Sequence, residues 1–177
     1  MSVASHKRVC VIGAGPSGIT AVKNCIEHGL EVVCYEKSGE VGGNWVYREG
    51  AGHSSVYETT HIISSKYHSF YEDFPFPESA AAYPSHKELY AYFNAYAQHF
   101  GVTQKIAFNT EVVNAQRDAD GAWLITVKDV NGERTERFDV LMVANGHHWN
   151  PRMPQYEGEF AGEFIHSHSF KHNRPYA

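Results

Sequence analysis

Val11-Ile12-Gly13-Ala14-Gly15-Pro16-Ser17-Gly18 is the stretch that decides the fold, because its glycines have the spacing G-x-G-x-x-G. An apolar run over residues 9–12 leads into this turn, and a helical pattern over residues 16–28 follows it. A second apolar run over residues 32–35 ends in Glu36. A strand, a glycine-rich turn, a helix and a second strand in this order predict a βαβ unit that holds a dinucleotide.

Each glycine of the turn has a predicted physical role. Gly13 permits the tight turn, Gly15 lets the backbone approach a pyrophosphate, and Gly18 lets the helix pack closely against the strand. Pro16 suits the first position of the helix, because a backbone N–H there would have no partner within the helix. The N–H groups of the first helical turn and the positive end of the helix dipole then favour a phosphate at this point.

Glu36 lies eighteen residues after Gly18, where an acidic residue hydrogen-bonds a ribose hydroxyl in such units. A carboxylate at this position repels the 2′-phosphate of NADP, so FAD or NAD is favoured. Glycine-rich turns also arise for steric reasons alone, and a purely structural turn is the alternative. The amphipathic helix and its stop signal at Gly29 favour nucleotide binding.

The bulk composition predicts a cytoplasmic protein without a nucleic-acid or membrane partner. The 177 residues carry a net charge of −5, so no excess of basic charge favours nucleic acid or an anionic membrane. No run approaches the ~20 apolar residues of a membrane helix, and the first residues lack the apolar core of a signal peptide. Cys10, Cys25 and Cys34 lie in apolar segments and are interpreted as reduced core residues, with a redox role as the alternative.

A second glycine pair follows the βαβ unit, in the stretch Val41-Gly42-Gly43-Asn44-Trp45. A glycine pair suits a second close approach of backbone to a ligand, and Trp45 is suited to cover a flat ring. A loop with a packed indole is the alternative, and the preceding fingerprint favours the ligand. Residues 46–84, rich in aromatic residues and proline, predict a long, ordered and irregular excursion.

The second half of the chain combines one helix with short strands. Ser85-His86-Lys87-Glu88 is typical of a capping box, and it opens a predicted helix to about residue 100 whose apolar stripe is core. Turn signals separate four strand candidates, which predict a small antiparallel meander: residues 106–108, 111–116, 123–127 and 135–138. A further buried strand is predicted over residues 140–144, and prolines at positions 151 and 154 mark a linker.

With these features in place, the chain resembles the N-terminal part of flavin-containing monooxygenases, relatives of the Baeyer–Villiger monooxygenases. Four stretches carry the resemblance: the first glycine turn with its acid, residues 42–45, residues 73–75, and a closing signature. The signature F-x-G-x-x-x-H-x-x-x-F is the most specific, and it consists of Phe160, Gly162, His166 and Phe170. The Baeyer–Villiger class usually has tryptophan last, so Phe170 favours the flavin-containing class. Aromatic packing in a core is the alternative explanation of the phenylalanines.

The resemblance implies an α/β fold with a Rossmann-like FAD-binding βαβ domain and an inserted antiparallel β-meander. Such flavoproteins have two dinucleotide-binding domains. The FAD-binding domain is expected over residues 1–146, and the linker with the start of a truncated NADP-binding domain over residues 147–177. The chain ends before a second G-x-G-x-x-G turn, so we expect this incomplete chain alone to lack the NADPH site and to be inactive.

The resemblance also implies where FAD would lie. The pyrophosphate is expected at the first glycine turn, a ribose at Glu36 and the adenine near the backbone of Val112. The flavin is expected near Asn44, Trp45, His53 and Ser64. No catalytic residue is assigned. The predicted cofactor-binding residues are Gly13, Gly15, Pro16, Ser17, Gly18, Glu36, Lys37, Gly43, Asn44, Trp45, His53, Ser64 and Val112.

The reaction implied by the resemblance is an oxygenation. In this family NADPH or NADH reduces FAD, oxygen adds to form a hydroperoxyflavin, and a soft nucleophile such as an amine nitrogen or a sulfide sulfur takes the distal oxygen. The cofactor supplies the chemistry, and the protein positions the ring and excludes water. The alternatives are Baeyer–Villiger oxygenation of a ketone, a plain NAD-binding dehydrogenase domain, and a non-catalytic FAD-binding module. Such a module would need a C-terminal fragment or a second copy of the chain as partner.

Two positions depart from the family pattern. Ile63 stands where many members have an asparagine, and it has no amide to hydrogen-bond flavin or nicotinamide. Asn145 replaces threonine after the strand at residues 140–144, a milder change because asparagine also tolerates turn geometry.

The histidines raise a metal site as a further hypothesis. Five of the twelve cluster near the end of the chain: His147, His148, His166, His168 and His172. Zinc sites need ligands oriented by neighbouring groups, and the sequence places neither such a group nor a cysteine in this cluster. We therefore predict no metal.

Overall fold

The computed structural model describes residues 7–50, 52, 54–148 and 150–176. The chain divides into two units. The first comprises the residues up to Gly43 together with Phe93–Asn145, and the second comprises Asn44–Tyr92 together with the residues from Gly146 onward. The boundary expected between residues 146 and 147 concerns dinucleotide-binding domains and stays a prediction.

The first unit contains the predicted βαβ arrangement. It consists of strand β1 (Arg8–Ile12), helix α1 (Pro16–Glu27) and strand β2 (Glu31–Tyr35). The two strands pair in parallel over five residue pairs. Helix α1 ends just before Gly29, whose φ of +67° is the left-handed conformation that glycine adopts without strain. The apolar runs and the glycine stop signal were therefore sufficient to predict this unit.

Two further strands complete a four-stranded parallel sheet. Strand β3 (Ile106–Ala107) pairs with β2, and strand β7 (Val140–Val143) pairs with β1, which gives the order β3-β2-β1-β7. The assignment of residues 106–108 to the antiparallel meander was wrong. Their partner is Cys34-Tyr35 of β2, more than seventy positions earlier in the chain, and a two-residue strand carries no pattern that reveals such a partner.

The antiparallel meander has three strands, which are β4 (Glu111–Arg117), β5 (Trp123–Asp129) and β6 (Gly132–Phe138). The predicted Asp-Gly and Asn-Gly turns connect them, and Gly121 and Gly132 have φ values of +83° and +106°. Both values lie in the left-handed region that these dipeptides supply in tight hairpins. The inserted meander is confirmed.

A shared core joins the meander to the parallel sheet. Its centre is a cluster of side chains that are at most 2% exposed, formed by Cys10, Tyr35, Ile125, Val127 and Phe138. The rings of Tyr35 and Phe138 meet edge to face, with centroids 6.2 Å apart, and the Tyr35 hydroxyl donates to a Glu136 carboxylate oxygen at 2.7 Å. All three cysteines of the chain are buried and free, as interpreted from their apolar surroundings.

Strand β7 is less buried than predicted. Its last two residues, Met142 and Val143, are 37% and 64% exposed. An edge strand has a neighbour on one side only, and within the described sheet β7 pairs with β1 alone. An apolar run alone does not distinguish an edge strand from a central one, so the expectation of a fully buried strand was wrong here.

Helix α2 (His86–His99) begins at the predicted capping box. The backbone N–H and the hydroxyl of Ser85 each donate to the Glu88 carboxylate at 2.8 Å, and the Glu88 N–H donates back to the Ser85 hydroxyl at 3.4 Å. The predicted stripe is buried, and it consists of Leu89, Tyr92, Phe93 and Tyr96. No described helix is both long and apolar enough to cross a membrane.

The second unit is irregular but ordered by aromatic contacts. Tyr92 lies against three rings of the 46–84 excursion, with centroid distances of 5.7 Å to Tyr71, 5.6 Å to Phe74 and 4.0 Å to Phe76. Its hydroxyl donates to the Phe74 carbonyl at 2.5 Å and accepts from the Tyr71 N–H at 2.8 Å. The prediction of an ordered excursion is confirmed.

Replacing Ile125 by alanine should lower the free energy of unfolding by about 2–4 kcal/mol, because a fully buried side chain leaves a cavity in the shared core. The matched control is Ile63→Ala, which removes the same atoms from a side chain that is 98% exposed and should change stability by less than ~0.5 kcal/mol. Urea unfolding followed by far-ultraviolet circular dichroism measures both. Equal losses in the two variants would contradict the described core.

Candidate dinucleotide-binding site

Gly13 and Gly18 are required by packing in the first unit. A Cβ on Gly18 would lie 1.8 Å from the Gly13 carbonyl oxygen, and a Cβ on Gly13 would lie 2.6 Å from the Ala144 carbonyl oxygen. Gly13 also has a φ of +95°, and its N–H donates to the Tyr35 carbonyl at 2.8 Å. The geometry agrees with the predicted roles of Gly13 in the turn and Gly18 in close packing.

Gly15 is different, because the fold does not need a glycine at this position. Its φ of −73° and ψ of −176° are open to any residue, and a Cβ there would meet only the Cα of Gly43, at an ordinary 3.7 Å. The bare backbone at Gly15 therefore leaves space that the packing of the first unit does not use.

The second glycine pair approaches this same turn. The Gly42 N–H donates to the Ala14 carbonyl at 3.1 Å, and a Cβ on Gly43 would lie 3.0 Å from the Cα of Gly15. Gly43 also has a φ of +55°, so any side chain there would be strained. Two stretches of backbone without side chains thus meet at Gly15 and Gly43.

The N-terminus of α1 opens at this point. Pro16 is the first helical residue, and the Ile19 N–H donates to the Gly15 carbonyl at 3.1 Å. Within the described residues no side chain caps this end, and the first turn has no acidic residue. The N–H groups of Ser17 and Gly18 belong to the first turn of the helix. The N–H groups of a first turn have no acceptor within the helix, and this arrangement binds anions.

Glu36 is buried, and its carboxylate holds two loops. One oxygen accepts from the Ala14 N–H at 2.7 Å, and the other accepts from the Ser38 N–H at 2.8 Å. Sequence reasoning missed these bonds, because nothing in the residue order shows that Ala14 faces the end of β2. Each carboxylate oxygen has a second lone pair, so the predicted ribose contact remains available alongside this structural role.

Lys37 and Val112 stay predictions as cofactor contacts. The Lys37 side chain is exposed. Val112 is half-buried in β4, opposite Val127 and beside the shared core, and a bulge in β4 follows it. The chain thus brings together Gly13, Gly15, Gly18, Glu36 and Gly43 by direct contacts.

Asn44 is fixed within the second unit by its neighbours. Its side-chain oxygen Oδ1 accepts from the Ser55 N–H at 2.7 Å and from the Ser55 hydroxyl at 2.9 Å. Its backbone carbonyl accepts from the Ser54 hydroxyl at 2.7 Å. Because Oδ1 serves Ser55, the two N–H donors of the amide are the part of Asn44 that is available to a ligand.

The remaining flavin-side residues stay predictions as cofactor contacts. Trp45 is half-buried, and the hydroxyls of Ser64 and Ser69 lie 2.5 Å apart. Ile63, the residue that departs from the family pattern, is 98% exposed. His53 lies outside the described residues.

The closing signature forms local structure in the second unit. His166 precedes a short 3-10 turn over Ser167–Ser169, and its Nδ1 accepts from the His168 N–H at 3.1 Å. Phe170 packs against Tyr57, with ring centroids 5.6 Å apart. Phe160 is 75% exposed. Local aromatic packing therefore accounts for Phe170 but does not account for the exposed Phe160.

The side chain of His168 contacts two backbone carbonyls. His168 Nδ1 lies 2.8 Å from the His148 carbonyl oxygen, and its Nε2 lies 3.1 Å from the Gly52 carbonyl oxygen. Among the residues that the structure describes, no group of three or more histidine, cysteine, aspartate or glutamate side chains could hold a metal ion.

A contact that sequence reasoning missed involves Lys171, the residue after the signature. Its ammonium donates to the carbonyls of Ser54 at 2.5 Å and Val56 at 3.3 Å, and burial lowers its pKa. These contacts join positions more than one hundred residues apart. No periodic pattern reports such a contact, and the position of Lys171 directly after the signature was the only available signal.

The family model described as flavin-binding monooxygenase-like (FMO-like) matches residues 6–177. The chain belongs to this family. Dimethylaniline monooxygenase (N-oxide-forming) 2 of Rattus norvegicus is 35% identical over 176 residues, which are 94% of this chain and 33% of that protein. The chain therefore spans about a third of the length of the curated relatives it matches.

Solved structures of flavin monooxygenases share the fold. The S-allyl-L-cysteine S-oxygenase from Allium sativum superposes with a TM-score of 0.91 at 26% identity, over 96% of this chain and 44% of that one. The complex of OTEMO with FAD and NADP superposes with a TM-score of 0.72 at 27% identity, over 91% of this chain and 30% of that one. The resemblance to flavin-containing monooxygenases and the predicted fold class are both confirmed.

The glycines of this flavin-binding monooxygenase-like chain should differ in their effect on stability. Gly18→Ala should lower the free energy of unfolding by at least ~2 kcal/mol, because its Cβ overlaps the Gly13 carbonyl. Gly15→Ala should cost no more than about 1 kcal/mol, the size of a helix-cap effect. Urea unfolding compares them, and an equal loss would show that Gly15 is also needed for packing.

Proposed function

We propose that the chain is the N-terminal, FAD-binding portion of a flavin-dependent monooxygenase that uses NAD(P)H and oxygen to oxygenate an amine nitrogen or a sulfide sulfur. The observation that carries the proposal is the bare backbone at Gly15. The fold tolerates a side chain there, whereas a pyrophosphate lying against the turn does not.

The first unit fits the adenine nucleotide half of FAD. The uncapped N-terminus of α1 offers N–H groups to the pyrophosphate, and the Cα atoms of Gly15 and Gly43 leave the space it needs. A Cβ at either glycine would enter this space. Glu36 is already held by the N–H groups of Ala14 and Ser38, so its orientation toward a ribose hydroxyl would be set before the cofactor binds.

Asn44, Trp45, His53 and Ser64 are proposed to serve the flavin half. Asn44 directly follows Gly43, and Ser55 occupies its Oδ1, so the amide would meet a ligand through its Nδ2 donor. An acceptor on the flavin, such as a ring carbonyl, matches that donor. FAD, when bound, supplies the redox chemistry with oxygen, and these side chains orient the ring and limit the access of water.

Relatives support the substrate class and the second cofactor. The names of a dimethylaniline monooxygenase and an S-allyl-L-cysteine S-oxygenase indicate nitrogen and sulfur as the atoms oxygenated by those proteins. OTEMO binds FAD together with NADP. We propose small-molecule amines or sulfides as substrates, NADPH or NADH as the reductant, and the cytoplasm as the location.

The purified chain should bind FAD and become yellow. Gly15→Ala should weaken FAD binding at least about tenfold, which corresponds to a loss of ~1.4 kcal/mol of binding free energy. Titration of FAD fluorescence measures the dissociation constant. Gly52→Ala is the matched control, because a Cβ there meets no atom of the described residues within 4 Å. Unchanged FAD binding by a folded Gly15→Ala variant would contradict the proposed site.

The chain alone should bind FAD without completing the catalytic cycle, because the first unit provides a site for one dinucleotide. NADPH consumption is followed by its absorbance, with and without dimethylaniline or S-allyl-L-cysteine. The expected result is no stimulation by either compound. Substrate-stimulated consumption by the 177-residue chain would overturn this expectation. Stimulation by a cyclic ketone but by neither of these compounds would likewise overturn it and would favour the Baeyer–Villiger alternative.

A further inference from the structure

Lys171 holds one short stretch of the second unit at three points. Its ammonium donates to the carbonyls of Ser54 and Val56, at 2.5 and 3.3 Å, and its own carbonyl accepts from the Glu58 N–H at 2.8 Å. The side chain and the backbone of one residue thus fix three alternate positions of the segment 54–58. This is a clip between two parts of the chain that lie far apart in sequence.

The clipped segment supports Asn44. Ser55 supplies both hydrogen bonds to the side-chain oxygen of Asn44, and the Ser54 hydroxyl donates to its backbone carbonyl. Ser54 is 3% exposed, so its hydroxyl has little access to water as a competing partner. The orientation of the Asn44 amide therefore depends on where the backbone of residues 54–56 lies.

The clip is strong because its donor is charged. Hydrogen bonds from an ammonium to a carbonyl are stronger than those between neutral groups, and a half-buried ammonium that loses its acceptors has little water to replace them. Neighbouring contacts hold the same segments. Phe170 packs against Tyr57, and the guanidinium of Arg174 donates to both Glu58 carboxylate oxygens at 3.2 Å.

We propose that Lys171 is a positioning residue for the flavin half of the cofactor, acting through the backbone of residues 54–56 on the side chain of Asn44. The inference rests on the proposed function, in which Asn44 is a flavin contact. Lys171 itself need not touch the cofactor. Its effect should be confined to the flavin end, because the adenine nucleotide half is assigned to the first unit.

The test compares FAD with ADP, which lacks the flavin, on the full 177-residue chain. Lys171→Met should weaken FAD about tenfold, the size expected for losing charged hydrogen bonds, and should change ADP binding less than about twofold. Lys171→Arg keeps donors and charge and should recover part of the loss. Isothermal titration calorimetry measures both ligands.

Lys87→Met is the matched control. Lys87 lies in helix α2 of the second unit and its side chain is exposed, so this substitution removes the same charge from the same unit and leaves the hydrogen bonds of Lys171 in place. This variant should leave the ratio of FAD to ADP affinity unchanged. An equal change of the ratio in both variants would overturn the specific role of Lys171.

A double-mutant cycle tests the route through Asn44. In an Asn44→Ala background, Lys171→Met should reduce FAD binding by less than about twofold, because the group it positions is gone. If Lys171→Met does not fold, Ser55→Ala removes one bond to Asn44 and should give a smaller loss, about threefold, again for FAD only. Equal losses of FAD and ADP, or no loss, would overturn the inference. A parent chain that binds neither ligand would instead refute the proposed function.

Discussion

The structure depends on how closely helix α1 approaches the turn that precedes it. The Gly18 Cα lies so near the Gly13 carbonyl that a single added carbon would be 1.8 Å from the oxygen. This contact brings the start of α1 down onto the end of β1, and Ala144 after β7 closes the other side of Gly13. The uncapped helix end, the turn and the central strand are therefore one rigid arrangement, and a larger residue at Gly13 or Gly18 would separate them.

The carboxylate of Glu36 stabilises the fold of the first unit and is also the group predicted to bind a ribose. Its buried carboxylate would lack compensation without the N–H groups of Ala14 and Ser38. Ala14 in turn accepts from Gly42, so the acid at the end of β2 is linked through one residue to the second glycine pair. A substitution of Glu36 would disturb this chain of hydrogen bonds together with any ribose contact. Gly15 is the cleaner probe of the ligand because its contacts are fewer.

Sequence reasoning succeeded wherever local chemistry determines structure. The βαβ unit, the capping box at Ser85 and the hairpin turns at Gly121 and Gly132 all follow from residues within one turn or one strand. It failed where a distant partner decides the outcome. Ile106-Ala107 joins the parallel sheet, Val143 is exposed at an edge, and Lys171 clips residues from the first third of the chain. The periodicity of apolar residues does not indicate any of these partners. The family resemblance implied which residues form the site but not the contacts they make.

The pairing of β1 with β7 has a consequence for how the protein is made. The N–H of Arg8 bonds the Asp139 carboxylate across 131 positions of sequence, and the central strand has its β7 neighbour only from residues 140 to 143. A ribosome must therefore release at least residues 8–143 before this sheet can close. Until then β1 lacks its β7 neighbour, so the backbone groups along one edge of this apolar strand lie unpaired in the nascent chain, and unpaired strand edges favour aggregation.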